Sequence, residues 1–317
     1  MTEYLAYISC DTGFFNDLKG KYSILKFTLE PCEIWERNQH RGVANFTINF
    51  PFEGLPEKGL SKPKSVENNF RNQQIAIEEA KLFIAWLSVA TRKPLDLSHV
   101  GFGETQHFGP SSHEPIDEDK RDLMVKIHRI KEGMGEGDYE KVVRPIYESY
   151  VDSTSSLKIP HDFPDLTRKL FSLPDNYQEM FLDSCLSYQY ALINEGTLPS
   201  ISLIALVNSV ESFMRDEFSS GYCEELGKSC PHKGDVMKKF RKFFEDNLQY
   251  PLPSEKRKFI NDVYGSRSNF VHNALLGSGP FRGPMYMSLG RGRELQNQVS
   301  EFKGLVNACM INWLMRT

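Results

Sequence analysis

Residues 254–277, SEKRKFINDVYGSRSNFVHNALLG, decide how the second half of this 317-residue chain is expected to fold. On a helix of about 100° per residue, the apolar side chains from Phe259 to Leu275 span an arc of about 160°. Arg267 falls at about 80°, in the middle of that arc. An arginine on a buried helix face needs an acceptor, because taking its charge out of water is costly. The stretch therefore predicts an amphipathic helix with one paired cation on its core side.

A second predicted helix, over residues 199–218, carries a suitable acceptor. Glu211 lies on the apolar side of this helix, among residues that would face the core. Those apolar residues are Leu203, Ile204, Val207, Val210, Met214 and Phe218. We therefore predict a buried Glu211–Arg267 ion pair. The alternative is that the pair only fixes how the two helices dock.

Two further residues of the 254–277 stretch favour a site rather than a docking contact alone. His272 falls at about 220°, on the shoulder of the apolar arc, where an imidazole can titrate in a cleft. Gly265 stands in mid-helix, which predicts that another backbone or a ligand approaches closely there.

The chain is expected to be mainly α and to divide into two domains. Residues 1–60 alternate β-branched and aromatic segments with turn residues, and a helix is predicted over 68–92. These elements indicate an N-terminal α+β domain at 1–160, with a linker at 151–165. Residues 165–317 are predicted to form a four-to-five-helix bundle. Its helices are expected over 176–194, 199–218, 233–248, 254–275 and 293–316, with a Gly-rich loop at 277–292.

Composition excludes several classes of protein. No apolar run approaches the roughly 18 residues that a membrane helix needs, so no membrane partner is expected. The start, MTEYLAYISCDTGFF, has Glu3 but no lysine or arginine, so we expect no signal peptide and a cytoplasmic location. The net charge is −4, yet residues 199–317 hold 16 basic and 12 acidic side chains, which favours the C-terminal half for binding a polyanion.

The residues around the expected ion pair resemble the HEPN superfamily. Arg267-Ser-Asn-Phe-Val-His272 is similar to its R-x4-6-H motif, and Glu211-Ser-Phe-Met-Arg215 to its E-x3-K/R element. The phrases LIALVNSVESF and SRSNFVHNAL are most similar to the ApeA-like branch. The resemblance spans about residues 170–317. It implies a HEPN-like bundle, and a homodimeric, metal-independent endoribonuclease of defence or stress response that uses no cofactor.

The resemblance also implies roles for individual side chains. His272 would be a general acid or base, and Arg267 would stabilise charge on the phosphoryl oxygens while a 2′-OH attacks the adjacent phosphorus. Ser268 or Asn269 would orient His272 or contact phosphate, and Glu211 would hold Arg267. Ala274 stands where toxins paired with nucleotidyltransferases usually have a tyrosine, so adenylylation there is not expected. A non-catalytic HEPN module that binds nucleic acid or a partner protein is the alternative.

Other residues are candidates for binding RNA or metal. Arginines near aromatic residues suit single-stranded RNA, although a loop with ordinary solvated charges is an equal alternative. The expected RNA-binding residues are Arg282, Arg291 and Arg293, together with Arg215 of the E-x3-R element; Lys238, Lys239, Arg241 and Lys242 form either a solvated face or a phosphate track. Cys223, Cys230 and His232 are a weak zinc candidate, because a fourth ligand is lacking nearby. A loop with two thiols and a solvated histidine is favoured.

Overall fold

The protein is described by a computed structural model. It describes residues 2–11, 17–18, 20–34, 43–55, 62–97, 107–110, 128–130, 156–214, 222–223, 228–229, 233–248, 251–273 and 285–317. Some side chains within these ranges, including those of residues 268–273 and 285–293, are not described. The described residues form two compact units, which divide between Arg168 and Lys169. Each unit is treated by itself below.

Seven helices and eleven strands occur in the described part of the chain. The helices are α1 (Lys62–Thr91), α2 (Phe163–Ser172), α3 (Asp175–Asn194), α4 (Pro199–Ser212), α5 (Lys233–Asn247), α6 (Ser254–Asn273) and α7 (Met285–Arg316). The strands are β1 (Thr2–Asp11), β2 (Asp17–Leu18), β3 (Tyr22–Ile24), β4 (Phe27–Ile34), β5 (Val43–Gly54), β6 (Asp96–Leu97), β7 (His107–Pro110), β8 (His128–Ile130), β9 (Ser156–Leu157), β10 (Tyr222–Cys223) and β11 (Lys228–Ser229). The chain is mainly helical, with an N-terminal sheet, as the sequence predicted.

The N-terminal unit is an antiparallel sheet packed against α1. The strand order is β3-β4-β5-β1-β6, with β7 also paired to β1 and β8 to β4. Along β5, every second side chain from Phe46 to Phe52 is buried, as a strand with one core-facing side requires. Phe83 of α1 stacks on Phe27 of β4 at 4.0 Å between ring centroids, which fixes the helix on the sheet.

The predicted linker at 151–165 is wrong over its second half. Ser156–Leu157 is strand β9, which pairs in parallel with β2, and α2 begins at Phe163. Ile159 and Phe163 are fully buried, and the Phe163 ring stacks on Trp86 of α1 at 5.4 Å. The segment is therefore part of the N-terminal core, because its apolar side chains are spaced to reach that core. Residues 151–155 lie outside the described part.

The C-terminal unit is built from the helices α3 to α7. Along α7, apolar side chains at spacings of three and four face the core, since Val299, Phe302, Val306 and Cys309 are completely buried. Phe302 also lies within 5.7 Å of the Phe244 ring of α5. These contacts bring α5 and α7 together around one core, which supports the helices that carry Glu211 and Arg267.

Three helix boundaries differ from the predictions by six residues or more. Helix α1 begins at Lys62 rather than at residue 68. Helix α4 ends at Ser212 rather than at residue 218, and Phe213 and Met214 follow as a turn. Helix α7 begins at Met285, so the loop predicted at 277–292 is helical from Met285 onward. The glycines at 290 and 292 suggested a loop, but isolated glycines lower helix propensity only by about 1 kcal/mol each.

Within the ranges that the structure describes, no helix combines the length and the apolar character needed to cross a bilayer.

A buried hydroxyl pair between α3 and α4 gives a stability test of the helical unit. Ser184 and Ser209 are fully buried, with their Oγ atoms 2.9 Å apart. Replacing Ser209 by alanine removes one partner of a buried hydrogen bond, so we expect the free energy of unfolding to fall by about 1–3 kcal/mol. Urea unfolding measures the change, with the exposed Ser172→Ala as control. A double Ser184→Ala/Ser209→Ala variant that costs the full sum of the single changes would contradict a direct interaction.

Candidate functional site

Helices α4 and α6 meet at three polar side chains that we call the Glu211 cluster: Glu211, Tyr264 and Arg267. Glu211 lies in the last turn of α4, and the other two lie one turn apart on α6. Arg267 Nη2 donates to Glu211 Oε2 at 3.0 Å, and the Tyr264 hydroxyl donates to Glu211 Oε1 at 3.1 Å. The ion pair predicted from the helix faces is therefore present, and each carboxylate oxygen has one donor from α6.

The cluster lies at the edge of the core rather than in its centre. The side chain of Arg267 is 25% exposed and that of Glu211 is 21% exposed. One and two turns before Arg267, Val263 and Ile260 are buried. Partial exclusion of water strengthens the ion pair relative to a surface pair, while the remaining exposure leaves the charges open to solvent. The guanidinium is thus held by the core but is not sealed within it.

The guanidinium of Arg267 has an unmet donor. Its Nε is buried and has no hydrogen-bond partner among the residues that the structure describes. Nε and Nη2 lie on the same edge of a guanidinium, and a carboxylate commonly accepts from both at once. Of the Arg267 donors at this edge, Glu211 accepts from Nη2 but not from Nε, so the ion pair is monodentate rather than bidentate. A buried donor without an acceptor costs free energy, which makes this edge of Arg267 a candidate for binding an oxyanion.

Tyr264 is the member of the cluster that sequence reasoning did not identify as a site residue. Its ring lies 4.7 Å from the Phe240 ring of α5, which holds the hydroxyl in place. Burial raises the pKa of Tyr264 to about 12, helped by the neighbouring Glu211 carboxylate and opposed by Arg267. The hydroxyl is therefore protonated at neutral pH and acts as a donor. The available signal was its position three residues before Arg267, on the same helix face.

The remaining residues of the predicted catalytic set share helix α6. Ser268, Asn269 and His272 all lie between Arg267 and the helix end at Asn273. Their side chains lie outside the described part. Because the helix is continuous across this stretch, positions 267 and 272 are about 140° apart around its axis. The backbone of one chain therefore does not bring these two residues to one face.

The predicted RNA-binding arginines are only partly covered by the structure. Arg291 and Arg293 belong to the first turns of α7, with side chains outside the described set, and Arg215 and Arg282 lie outside it entirely. On α5, Lys238 and Lys242 are exposed. Arg241 instead lies 3.5 Å from Glu245, so part of the proposed phosphate track is engaged in an ion pair within its own helix.

The weak zinc candidate also falls largely outside the structure. Cys223 belongs to the short strand β10, but its side chain is not described, and Cys230 and His232 lie outside the described residues. Among the side chains that are described, no three metal-binding groups come together. Cys185 and Cys309 are free thiols whose burial raises their pKa, which marks them as core residues rather than as ligands.

The approach of another backbone predicted at Gly265 is not found within the described residues of this chain, and the approach of a ligand there stays a prediction. Apart from its chain neighbours and the backbone of its own helix turns, a Cβ atom built on Gly265 would have no atom of the described residues within 4 Å. Gly265→Ala should therefore raise the free energy of unfolding by about 0.5–1 kcal/mol, because alanine has the higher helix propensity and meets no obstacle. Urea unfolding checks this, with Gly304→Ala of α7, where a Cβ also has open space, as the matched control. Stabilisation at Gly304 without any at Gly265 would contradict the open space beside Gly265.

The raised pKa of Tyr264 makes a second prediction, on pH dependence. The pKa of this hydroxyl is 10.0 in the unfolded chain, its ordinary value, and about 12 in the folded chain. The stabilisation from neutral Tyr264 is thus complete below about pH 10 and is lost as the pH rises toward the folded value. Denaturant unfolding from about pH 8 to about pH 11 should show the wild type losing stability faster than Tyr264→Phe. Parallel curves for the two proteins would contradict the assignment.

Comparison of the chain with family models, with curated proteins and with solved structures finds no match. A function for the Glu211 cluster is therefore inferred from the chemistry of its residues and from the sequence resemblance.

Proposed function

We propose that this protein is a metal-independent endoribonuclease of HEPN type, which cleaves RNA by attack of a 2′-OH on the adjacent phosphorus. The observation that carries the proposal is the paired Arg267, held between α4 and α6 by Glu211, with His272 on the same helix. A guanidinium at the edge of a core suits a developing phosphoryl charge, because its donors are fixed in direction and its charge does not titrate. A role in defence or stress response follows from the resemblance.

The chemistry requires one base, one acid and one stabiliser of negative charge. A base removes the proton of the 2′-OH as its oxygen bonds to phosphorus, and the bond from phosphorus to the 5′ oxygen breaks. An acid protonates that leaving oxygen, which yields a 2′,3′-cyclic phosphate and a free 5′-OH. Histidine suits both proton transfers near neutral pH, so His272 is assigned to them. Arg267 stabilises the charge on the non-bridging oxygens, and Ser268 or Asn269 orients the imidazole.

A homodimer completes the site in this proposal. Arg267 and His272 diverge by about 140° on α6, so one copy presents them to different sides. A two-fold contact repeats the same surface patch, so two copies of α6 can bring four groups into one groove. One imidazole then acts as the base and the other as the acid. No metal ion and no cofactor take part in these steps.

A second candidate is a non-catalytic HEPN module that binds nucleic acid or a partner protein. The observation in its favour is that Glu211 already occupies one arm of Arg267, as expected of a pair that docks two helices. Under this alternative the cluster stabilises the bundle, and RNA is bound but left intact.

An RNA cleavage assay in EDTA separates the two candidates. We expect wild-type protein to cut single-stranded RNA, and His272→Ala to lose about 10²- to 10⁴-fold in rate, the usual contribution of general acid–base catalysis. His161→Ala, at an exposed histidine outside the helical unit, is the matched control and should retain full activity. Arg267→Lys keeps the charge but loses the fork of donors, so we expect it to be strongly impaired while still folded.

Two outcomes would overturn the nuclease proposal. Cleavage that persists in both His272→Ala and Arg267→Lys would remove the assigned residues. Binding of RNA by the wild type without cleavage products would favour the non-catalytic module. Circular dichroism of each variant establishes that a loss of activity does not come from unfolding.

A further inference from the structure

The hydrogen bonds of Glu211 are distributed in an unusual way. Its two oxygens go to different side chains of α6, Oε2 to Arg267 Nη2 and Oε1 to the Tyr264 hydroxyl. A carboxylate beside an arginine gains most by accepting from Nε and Nη2 together, because these donors are parallel and match its two oxygens. In this cluster the hydroxyl of Tyr264 competes for the second oxygen.

The cost of that competition falls on Arg267. Its Nε is buried and has no hydrogen-bond partner within the described residues, although the neighbouring Nη2 is bonded to the Glu211 carboxylate. Tyr264 keeps Oε1 because its ring is fixed by Phe240, at 4.7 Å between centroids. The arrangement leaves the ion pair with one hydrogen bond where two are chemically available. An ion pair that served only to dock two helices would be more stable if both hydrogen bonds formed.

We propose that Tyr264 is a positioning residue that keeps the Glu211–Arg267 pair monodentate, with a single hydrogen bond. The Arg267 guanidinium is thereby available to a phosphodiester of bound RNA. This inference rests on the proposed function for its ligand, while the hydrogen-bond competition itself does not depend on it. A phosphodiester offers two non-bridging oxygens, which match the Nε and Nη2 donors of one guanidinium edge. The Arg267 side chain is 25% exposed, so part of its surface is open to an approaching ligand.

Tyr264 is suited to this role because it donates at all physiological pH values. Its raised pKa, about 12, keeps the hydroxyl protonated, so Oε1 stays engaged. Phenylalanine at this position keeps the ring packing on Phe240 and removes only the donor. Glu211 is then free to accept from both Nη2 and Nε, which closes the pair and occupies the edge that a phosphodiester would use.

The test compares Tyr264→Phe with the wild type in the full-length protein. Tyr190→Phe is the matched control, because Tyr190 is 53% exposed on α3 and the chemical change is the same. The first measurement is the ¹⁵N–¹H resonance of Arg267 Nε, assigned by its loss in Arg267→Lys. In Tyr264→Phe it should move downfield and exchange more slowly, as a newly hydrogen-bonded N–H does. The second is affinity for a single-stranded 2′-O-methyl oligoribonucleotide, which cannot be cleaved, and which should fall roughly three- to tenfold.

The two measurements separate this inference from the proposed function. An unchanged Nε resonance in Tyr264→Phe, or unchanged oligonucleotide affinity with a lowered melting temperature, would overturn the positioning role and leave Tyr264 as a packing residue. The control Tyr190→Phe should alter neither measurement. If the wild type cleaves no RNA, while Tyr264→Phe changes both the Arg267 Nε resonance and the oligonucleotide affinity, the nuclease proposal is contradicted and the positioning role is supported.

Discussion

The ion pair between Glu211 and Arg267 is the constraint on which the helical unit and its candidate chemistry depend. It joins the last turn of α4 to the middle of α6 by a 3.0 Å hydrogen bond at the edge of the core. Either charge alone at this depth would be destabilising, because the charged partner replaces the hydrogen bonds and the electrostatic stabilisation that water gives to an exposed charge. The pair therefore determines both how these helices dock and where a guanidinium becomes available near the surface.

The electrostatics of the cluster favour binding over pure scaffolding. Two side chains share the Glu211 carboxylate: the Tyr264 hydroxyl and Arg267 Nη2 each donate to one oxygen, while Arg267 Nε has no hydrogen-bond partner within the described residues. Proteins seldom leave a buried donor without an acceptor, and such donors concentrate where a ligand or strain has a role. A guanidinium that is fixed, charged and incompletely paired has the properties expected of a phosphate-binding group.

The sequence predicted the ion pair because helical periodicity alone places both charges on apolar faces. It did not identify Tyr264, since a tyrosine on such a face is indistinguishable from a core aromatic until its hydroxyl partner is known. The linker prediction failed over 156–163 because prolines and polar residues surround the few apolar side chains that reach the N-terminal core. A mid-helix glycine suggested the close approach of a backbone or a ligand at Gly265, yet no described residue of the chain fills the space beside it. Tertiary contacts decide these cases, and local pattern does not contain them.

We propose that Arg267 is kept on the apolar face of α6 for phosphate chemistry, with His272 completing the site across a two-fold contact. A crystal structure of the protein with a 2′-O-methyl oligoribonucleotide tests it most directly. The account predicts two copies related by a two-fold axis, a phosphate oxygen hydrogen-bonded to the Arg267 guanidinium, and an imidazole of His272 beside the same phosphate. An oligonucleotide bound elsewhere, with Arg267 and His272 enclosed in separate parts of the bundle, would contradict it.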